Sequence, residues 1–240
     1  VFLCILKRKK IRLKYLSSCI LAMNTETLIK VYHILKKEVE HYKVPIITLI
    51  AQTKKDPYRV LIGTVLSLRT KDEVTAQACE RLFAEADTPE KMLQLSEKKI
   101  EELIYPTGFY KTKAKNILLI SKKLLDEFQG KVPDDIDTLL TFPNVGRKTA
   151  NLVLIEGYNK AGVCVDIHNW RILNRLGYLK AKNPLETEMQ IRKRLPKTYW
   201  NKLNYILVAF GQNTCVPVSP KCSQCPVRQY CERKGVKIHR

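Results

Sequence analysis

The sequence predicts an all-α protein. Apolar residues recur at helical spacing through most of the chain. No run alternates with period two for long enough to demand a sheet. With 45% hydrophobic residues among 240, the chain can bury one large core or two modest ones.

The elements follow in order. Residues 25–42 carry the stripe Leu28, Val31, Tyr32 and Leu35, with Thr25 and Thr27 as candidate caps. Asp56-Pro57 opens a second helix, because proline is tolerated in a first turn, where its missing N–H has no partner to lose. That helix carries Val60, Leu61, Thr64, Val65 and Leu68. Short helices are expected over 72–85, 89–95 and 97–104, the middle one started by Thr88-Pro89. Residues 111–129 set lysines against a stripe of Ile117, Leu118, Leu124, Leu125 and Phe128, and Gly130 stops the helix. Residues 134–140 form a short helix. The sequence Phe142-Pro143-Asn144-Val145-Gly146 turns, and Arg147-Lys148-Thr149-Ala150 starts the next helix, through Ile155.

The formal net charge is +20, which favours a polyanionic partner. Residues 1–22 hold six basic and no acidic side chains, so the rest of the chain still carries +14. Residues 1–22 read as a basic peripheral tail, with the folded protein starting near Met23. A basic organelle address is the other reading. Apolar runs there are too short for a membrane span.

Four cysteines, Cys215, Cys222, Cys225 and Cys231, are spaced C-x6-C-x2-C-x5-C. Four thiolates are what a [4Fe–4S] cluster needs. A structural zinc also takes four, but usually from two C-x2-C knuckles, and only one is present. Disulfides are the third reading; no secretory signal with a cleavage site supports them. Iron–sulfur is preferred, with zinc and disulfides as the alternatives. Cys79 and Cys164 sit among apolar residues and are expected to be buried.

The 134–157 segment is a helical hairpin. Its turn and the following helix start present free N–H groups that bind phosphate without reading a base. Arg147 and Lys148 beside it favour DNA over a purely structural hairpin.

The hairpin, then Val165-Asp166-Ile167-His168, then Asn174-Arg175-Leu176-Gly177 and the four-cysteine segment together resemble the endonuclease III family. This is the iron–sulfur branch of the helix-hairpin-helix DNA glycosylases. The resemblance spans roughly residues 25–235. It implies two all-α domains with a DNA cleft between them: a six-helix module over 50–160, and a [4Fe–4S] cluster domain from 23–49 plus 161–240. It also implies a bifunctional glycosylase and abasic-site lyase, acting as a monomer on double-stranded DNA that holds a damaged pyrimidine or an abasic site. Its compartment would be the cytoplasm with the nucleoid in a prokaryote, or the nucleus or mitochondrion in a eukaryote.

In the family, the catalytic pair falls on positions matching Lys148 and Asp166. A neutral amine attacks the sugar C1′, the base departs, and a Schiff base forms. Arg147 and the helix start are expected to lower the Lys148 pKa, whereas a nearby carboxylate raises it. Asp166 is therefore expected to stabilise positive charge on the sugar or to move protons. The residue-level alternatives are a phosphate-binding Lys148 and an Asp166 that only caps a helix. The alternative functions are a base-excision-only mismatch glycosylase and a non-catalytic DNA-binding protein.

An extruded base leaves a gap to be filled. The stretch 67–72 matches one wedge loop of the family, with Arg69 where glutamine is usual. Gly108-Phe109-Tyr110 matches the second, with Phe109 as wedge and core packing as its alternative. Lys111, Lys113 and Lys115 are expected along a phosphate track or on a solvated face. Asn144 replaces a glycine in the hairpin turn and is expected to accept a positive φ. Asn144, Gly146 and Arg147 are the expected DNA contacts there. Ile167 replaces a common threonine. His168 is a supporting contact at the DNA site and not a metal ligand.

Overall fold

The computed structural model describes residues 23–42, 46–53 and 56–240; the basic tail 1–22 lies outside them. Among the described residues every regular element is helical. Helix α1 (Thr25–Glu38) buries the foreseen stripe, but its cap is Asn24, whose Oδ1 accepts from Thr27 N at 2.8 Å. The proposed caps Thr25 and Thr27 already lie inside the first turn. Helix α2 (Ile46–Thr53) was not foreseen. Its eight residues are too few and too uniformly apolar to show a clear stripe.

Helix α3 (Pro57–Ser67) starts as expected: the Asp56 carboxylate accepts from Tyr58 N and Arg59 N, and Pro57 occupies the first turn. Next come α4 (Asp72–Glu85), α5 (Pro89–Leu93) and α6 (Glu97–Ile104), with Thr88 and Ser96 capping the last two. Helix α7 (Tyr110–Phe128) ends in two left-handed residues, Gln129 and Gly130. Helix α8 (Ile136–Leu139), the turn at Asn144, and α9 (Arg147–Leu152) make the hairpin. Helix α9 widens into a π turn over Val153–Gly157. Helices α10 (Ile167–Leu176), α11 (Pro184–Arg194) and α12 (Trp200–Asn213) follow, then two short 3-10 turns, Cys222–Gln224 and Arg228–Tyr230.

Two apolar cores form. The first gathers buried residues from Ile46 to Ile155 with Cys164, and α3 runs through its middle, packed on α2, α4, α7 and α9. The second joins α1 to α10, α11 and α12, reaching Val227. Burying a side chain such as Leu35 or Leu173 in these cores contributes about 1.5–3 kcal/mol. The described residues thus begin in the second core at Met23, build the first, and return at Val163. The first core begins at Ile46, slightly before the position 50 expected from sequence, because α2 packs on α3. Cys79 and Cys164 are buried as expected, and burial pushes both thiols up to about 12.

Candidate active site and nucleic-acid interface

A cleft of about 760 Å3 opens where the two cores meet. The first core supplies Arg69, Arg147 and Lys148 to its walls; the second supplies Asp166, Ile167, His168 and Tyr205. Lys148 enters because it is the second residue of α9, directly after the hairpin turn. Asp166 enters because it caps α10.

The Asp166 carboxylate does two things. Its Oδ1 accepts from His168 N at 2.8 Å and Asn169 N at 3.1 Å. Its Oδ2 lies 3.7 Å from Lys148 Nζ. Capping and pairing are therefore not alternatives: the cap fixes the carboxyl plane and turns the second oxygen towards the lysine. Asp166 is 9% exposed, while the Lys148 side chain is 44% exposed and reaches the open cleft.

Arg147 corrects an expectation. Its Nε and Nη2 donate to Glu188 Oε2 and Oε1 at 2.9 and 2.7 Å. Arg192 Nε and Asn151 Nδ2 donate to the same carboxylate, at 3.0 and 3.3 Å. Burial alone would raise the Glu188 carboxyl, but the hydrogen bonds of Arg147 and Arg192 overcome it and hold it below its ordinary 4.5. Glu188 thus holds the Arg147 guanidinium in place, and one carboxylate shared by two guanidiniums leaves the cluster with a net positive charge. What Arg147 still offers is its backbone N–H in the first turn of α9.

His168 is also accounted for. Arg171 Nη2 donates to its Nδ1 at 3.0 Å, and Gly211 passes so close that a Cβ there would meet Nδ1 at 2.6 Å. Burial, with help from Arg171 and Lys148, lowers the imidazole below its ordinary value against the pull of Asp166. The ring is neutral near pH 7. Arg171 also donates to the Cys215 carbonyl at 2.9 Å, tying the active-site helix to the cysteine segment.

The turn behaves as read: Asn144 adopts φ 61°, the left-handed region that asparagine tolerates best after glycine. Gly146 itself has an ordinary negative φ, and nothing lies within 4 Å of the place a Cβ would take, so its surface is open. Phe109 is 62% exposed, which rules out core packing. The Arg69 guanidinium lies over the Phe109 ring at 5.3 Å, so the two wedge candidates form one protrusion. Lys111 and Lys115 are exposed, whereas Lys113 is buried and leaves the expected phosphate track.

The four cysteines surround one cavity behind α10 and α12, together with Arg175 and Val227. Burial, and then the neighbouring thiols, raises Cys222 and Cys231; burial alone leads for Cys225, at about 11. Arg175 Nη1 donates to Cys215 Sγ at 3.4 Å, and Arg233 N to Cys231 Sγ at 3.4 Å. Such donors stabilise cluster-bound thiolates. Among the described residues, no three Cys, His, Asp or Glu side chains converge as a single-ion ligand set. Four soft donors lining one cavity suit an iron–sulfur cluster.

Fold and cleft define a two-core helical protein with a helical hairpin at its cleft and a separate four-cysteine element. Residues 62–197 match the HhH-GPD superfamily of base excision DNA repair proteins, and residues 215–231 match the iron–sulfur binding domain of endonuclease III. The second match starts and ends on the outermost two of the four cysteines. An endonuclease III of Thermotoga maritima is 44% identical, with 74% of this chain and 83% of that protein covered. A chloroplastic endonuclease III homologue of Arabidopsis thaliana is 42% identical; the chain spans 48% of its length. An endonuclease III trapped as a covalent intermediate with DNA superposes with a TM-score of 0.79 at 29% identity, over 88% of this chain and 97% of that one.

The chain belongs to the endonuclease III family, the DNA glycosylases and abasic-site lyases of base excision repair. Its cofactor is a [4Fe–4S] cluster and its partner is DNA. No helix among the described residues is long and apolar enough to cross a membrane.

Sequence reasoning missed Glu188, Asn151 and Arg192. Glu188 is one of two acids, with Glu186, in a stretch 184–194 that also holds three bases, a weak signal on its own.

Proposed function

We propose that Lys148 is the nucleophile and Asp166 its partner in excising oxidised pyrimidines from duplex DNA, followed by strand cleavage 3′ to the lesion. One observation carries this reading: Lys148 Nζ and Asp166 Oδ2 face each other at 3.7 Å in the interdomain cleft, with the other Asp166 oxygen held by two N–H groups. The Nζ lone pair bonds to C1′ while the glycosidic C–N bond breaks and the base leaves with its electron pair. The bonded amine then loses a proton, its lone pair opens the ring by breaking C1′–O4′, and O4′ takes up a proton, leaving the protonated Schiff base. Removal of a C2′ proton then expels the 3′ phosphate.

Asp166 takes up a proton released from the Lys148 amine, and its negative charge stabilises the cationic sugar. The pair is pre-positioned, so little reorganisation is needed at reaction.

The four cysteines would hold the cluster, which keeps the C-terminal segment folded; Lys221 and Arg228 lie on that segment and face the same polyanion. The hairpin turn at Asn144 and Gly146, with the N–H of Arg147, takes a DNA phosphate, while Arg69 and Phe109 fill the gap left by the base. The two cores act as two domains that meet along the DNA. The protein acts as a monomer, in the cytoplasm of a prokaryote or the nucleus or mitochondrion of a eukaryote.

Borohydride trapping on a duplex with one abasic site tests the reading. A covalent adduct from the intact protein that vanishes in Lys148→Gln supports it. An adduct that persists moves the nucleophile elsewhere. No adduct from iron-replete protein that still binds duplex leaves a base-excision-only enzyme or a binding protein.

A further inference from the structure

Lys113 is the one lysine of α7 whose head group is buried under the wedge loops. Its Nζ donates to Leu66 O at 2.7 Å, Leu68 O at 2.8 Å and Thr70 Oγ1 at 2.9 Å. An ammonium has three donors, and all three are used. Two of the acceptors are carbonyls at the end of α3, where helix geometry leaves them without an intrahelical partner.

Thr70 carries the contact across. Its Oγ1 accepts from Gly108 N at 3.1 Å as well as from Lys113, and donates to Leu68 O at 3.2 Å. The Lys113 backbone N–H donates to Phe109 O at 3.0 Å. One residue therefore touches both loops, one through its side chain and the other through its main chain. The loops lie so close that a Cβ on Gly108 would meet Arg69 O at 2.6 Å.

The two residues thus displayed are strained. Arg69 has φ 52° and Phe109 φ 59°, both left-handed without being glycine. Such conformations persist where the surroundings over-determine them. Arg69 sits between Leu68 and Thr70, the two clamped residues, and Phe109 is held by the backbone of Lys113.

We propose that Lys113 is a positioning residue that locks the Arg69 and Phe109 loops into one rigid probe for insertion into the duplex. The inference rests on the reading of Arg69 and Phe109 as gap-filling residues. Lys113 itself touches neither DNA nor the reacting atoms. Rigidity has a kinetic consequence: two loose loops must be ordered during insertion, whereas a locked pair enters already ordered.

The test compares Lys113→Met, Thr70→Val and Phe109→Ala on two substrates. One holds a thymine glycol in fully paired duplex; the other holds it in a bubble of unpaired bases. Single-turnover excision is measured on each. Thr70→Val keeps the ammonium on the two carbonyls, so it removes the loop bridge even if Lys113→Met fails to fold.

For both clamp variants the expected loss on paired duplex is on the order of 10- to 100-fold. In the bubble it shrinks to within about twofold, since no insertion is needed there. Phe109→Ala should show the same pattern. An equal loss on both substrates, or no loss from Thr70→Val while Phe109→Ala shows the paired-duplex defect, overturns the clamp. If Phe109→Ala shows no defect but the clamp variants do, the clamp stands and acts through Arg69 alone. If none of the three discriminates between substrates, both the clamp and the wedge reading fall.

Discussion

Glu188→Gln should destabilise the protein substantially without touching a reacting atom. Glu188 is 3% exposed and accepts four hydrogen bonds, from Arg147, Arg192 and Asn151. Glutamine keeps the shape but loses the charge, and turns an NH2 against one of the guanidinium donors. Breaking a buried ion pair from one side costs about 3–5 kcal/mol. Arg147 and Arg192 are 35% and 29% exposed, so water takes up part of their freed charge. A loss of about 2–3 kcal/mol is the expectation, at or just below the lower bound of that range. For a chain of this length each kcal/mol shifts Tm by about 2–4 °C, which gives a fall of about 4–12 °C. Thermal unfolding followed by circular dichroism reads it directly.

The pH dependence makes the test sharper. The folded Glu188 carboxyl lies below its ordinary 4.5, so its contribution is present above that value and disappears as pH falls through the lower folded value. The gap in Tm between the two proteins should therefore close in acid. A gap that is absent near pH 7, or that persists unchanged below pH 4.5, would refute the assignment of Glu188 as the charged hub behind Lys148.

Other outcomes follow from the same geometry. Asp166→Asn keeps a cap acceptor for His168 N and Asn169 N, so stability should change by less than about 1 kcal/mol, while single-turnover excision falls about 10²- to 10⁴-fold. Equal losses in stability and rate would reduce Asp166 to a cap. Burial lowers the Lys113 amine to about 8, so the folded chain releases a proton that the unfolded chain keeps up to about 10.5. Cys79 on α4, the titratable neighbour acting on it, stays a neutral thiol because burial holds it at about 12. Above pH 8 the neutral amine has two donors for three acceptors, so excision from paired duplex should fall relative to the bubble substrate; in Lys113→Met this difference should not vary with pH. Asn144→Ala, at φ 61°, should cost about 1 kcal/mol relative to Asn144→Gly in denaturant unfolding. Cys222→Ser should yield protein with less iron and weaker visible absorbance, whereas unchanged iron content would remove Cys222 from the ligand set.

Much of this protein was legible in its sequence. The stripe Leu28, Val31, Tyr32 and Leu35 is buried as read, because helical periodicity is a property of neighbouring residues alone. The same holds for the Asp56-Pro57 start and the Asn144 turn, whose chemistry is complete within four or five residues. Lys148, Asp166 and the four cysteines were marked by the order of their motifs. Helix α2 escaped because a short apolar run carries no phase, and the cap of α1 fell on Asn24, just before the two candidate threonines, because neighbouring polar side chains compete for it.

The chain by itself determined its helical class, its family, the residue types of the proposed catalytic pair and the four cysteines proposed for the cluster. These are local facts: spacing, capping and ligand type. Only the tertiary structure decided where charges end up. Arg147 reads as a free cation until Glu188, 41 residues away, pairs with it, and Lys113 reads as a surface lysine until α7 turns it under the end of α3. A side chain's charge and exposure depend on which distant element packs over it, and that follows from how two cores close around a cleft.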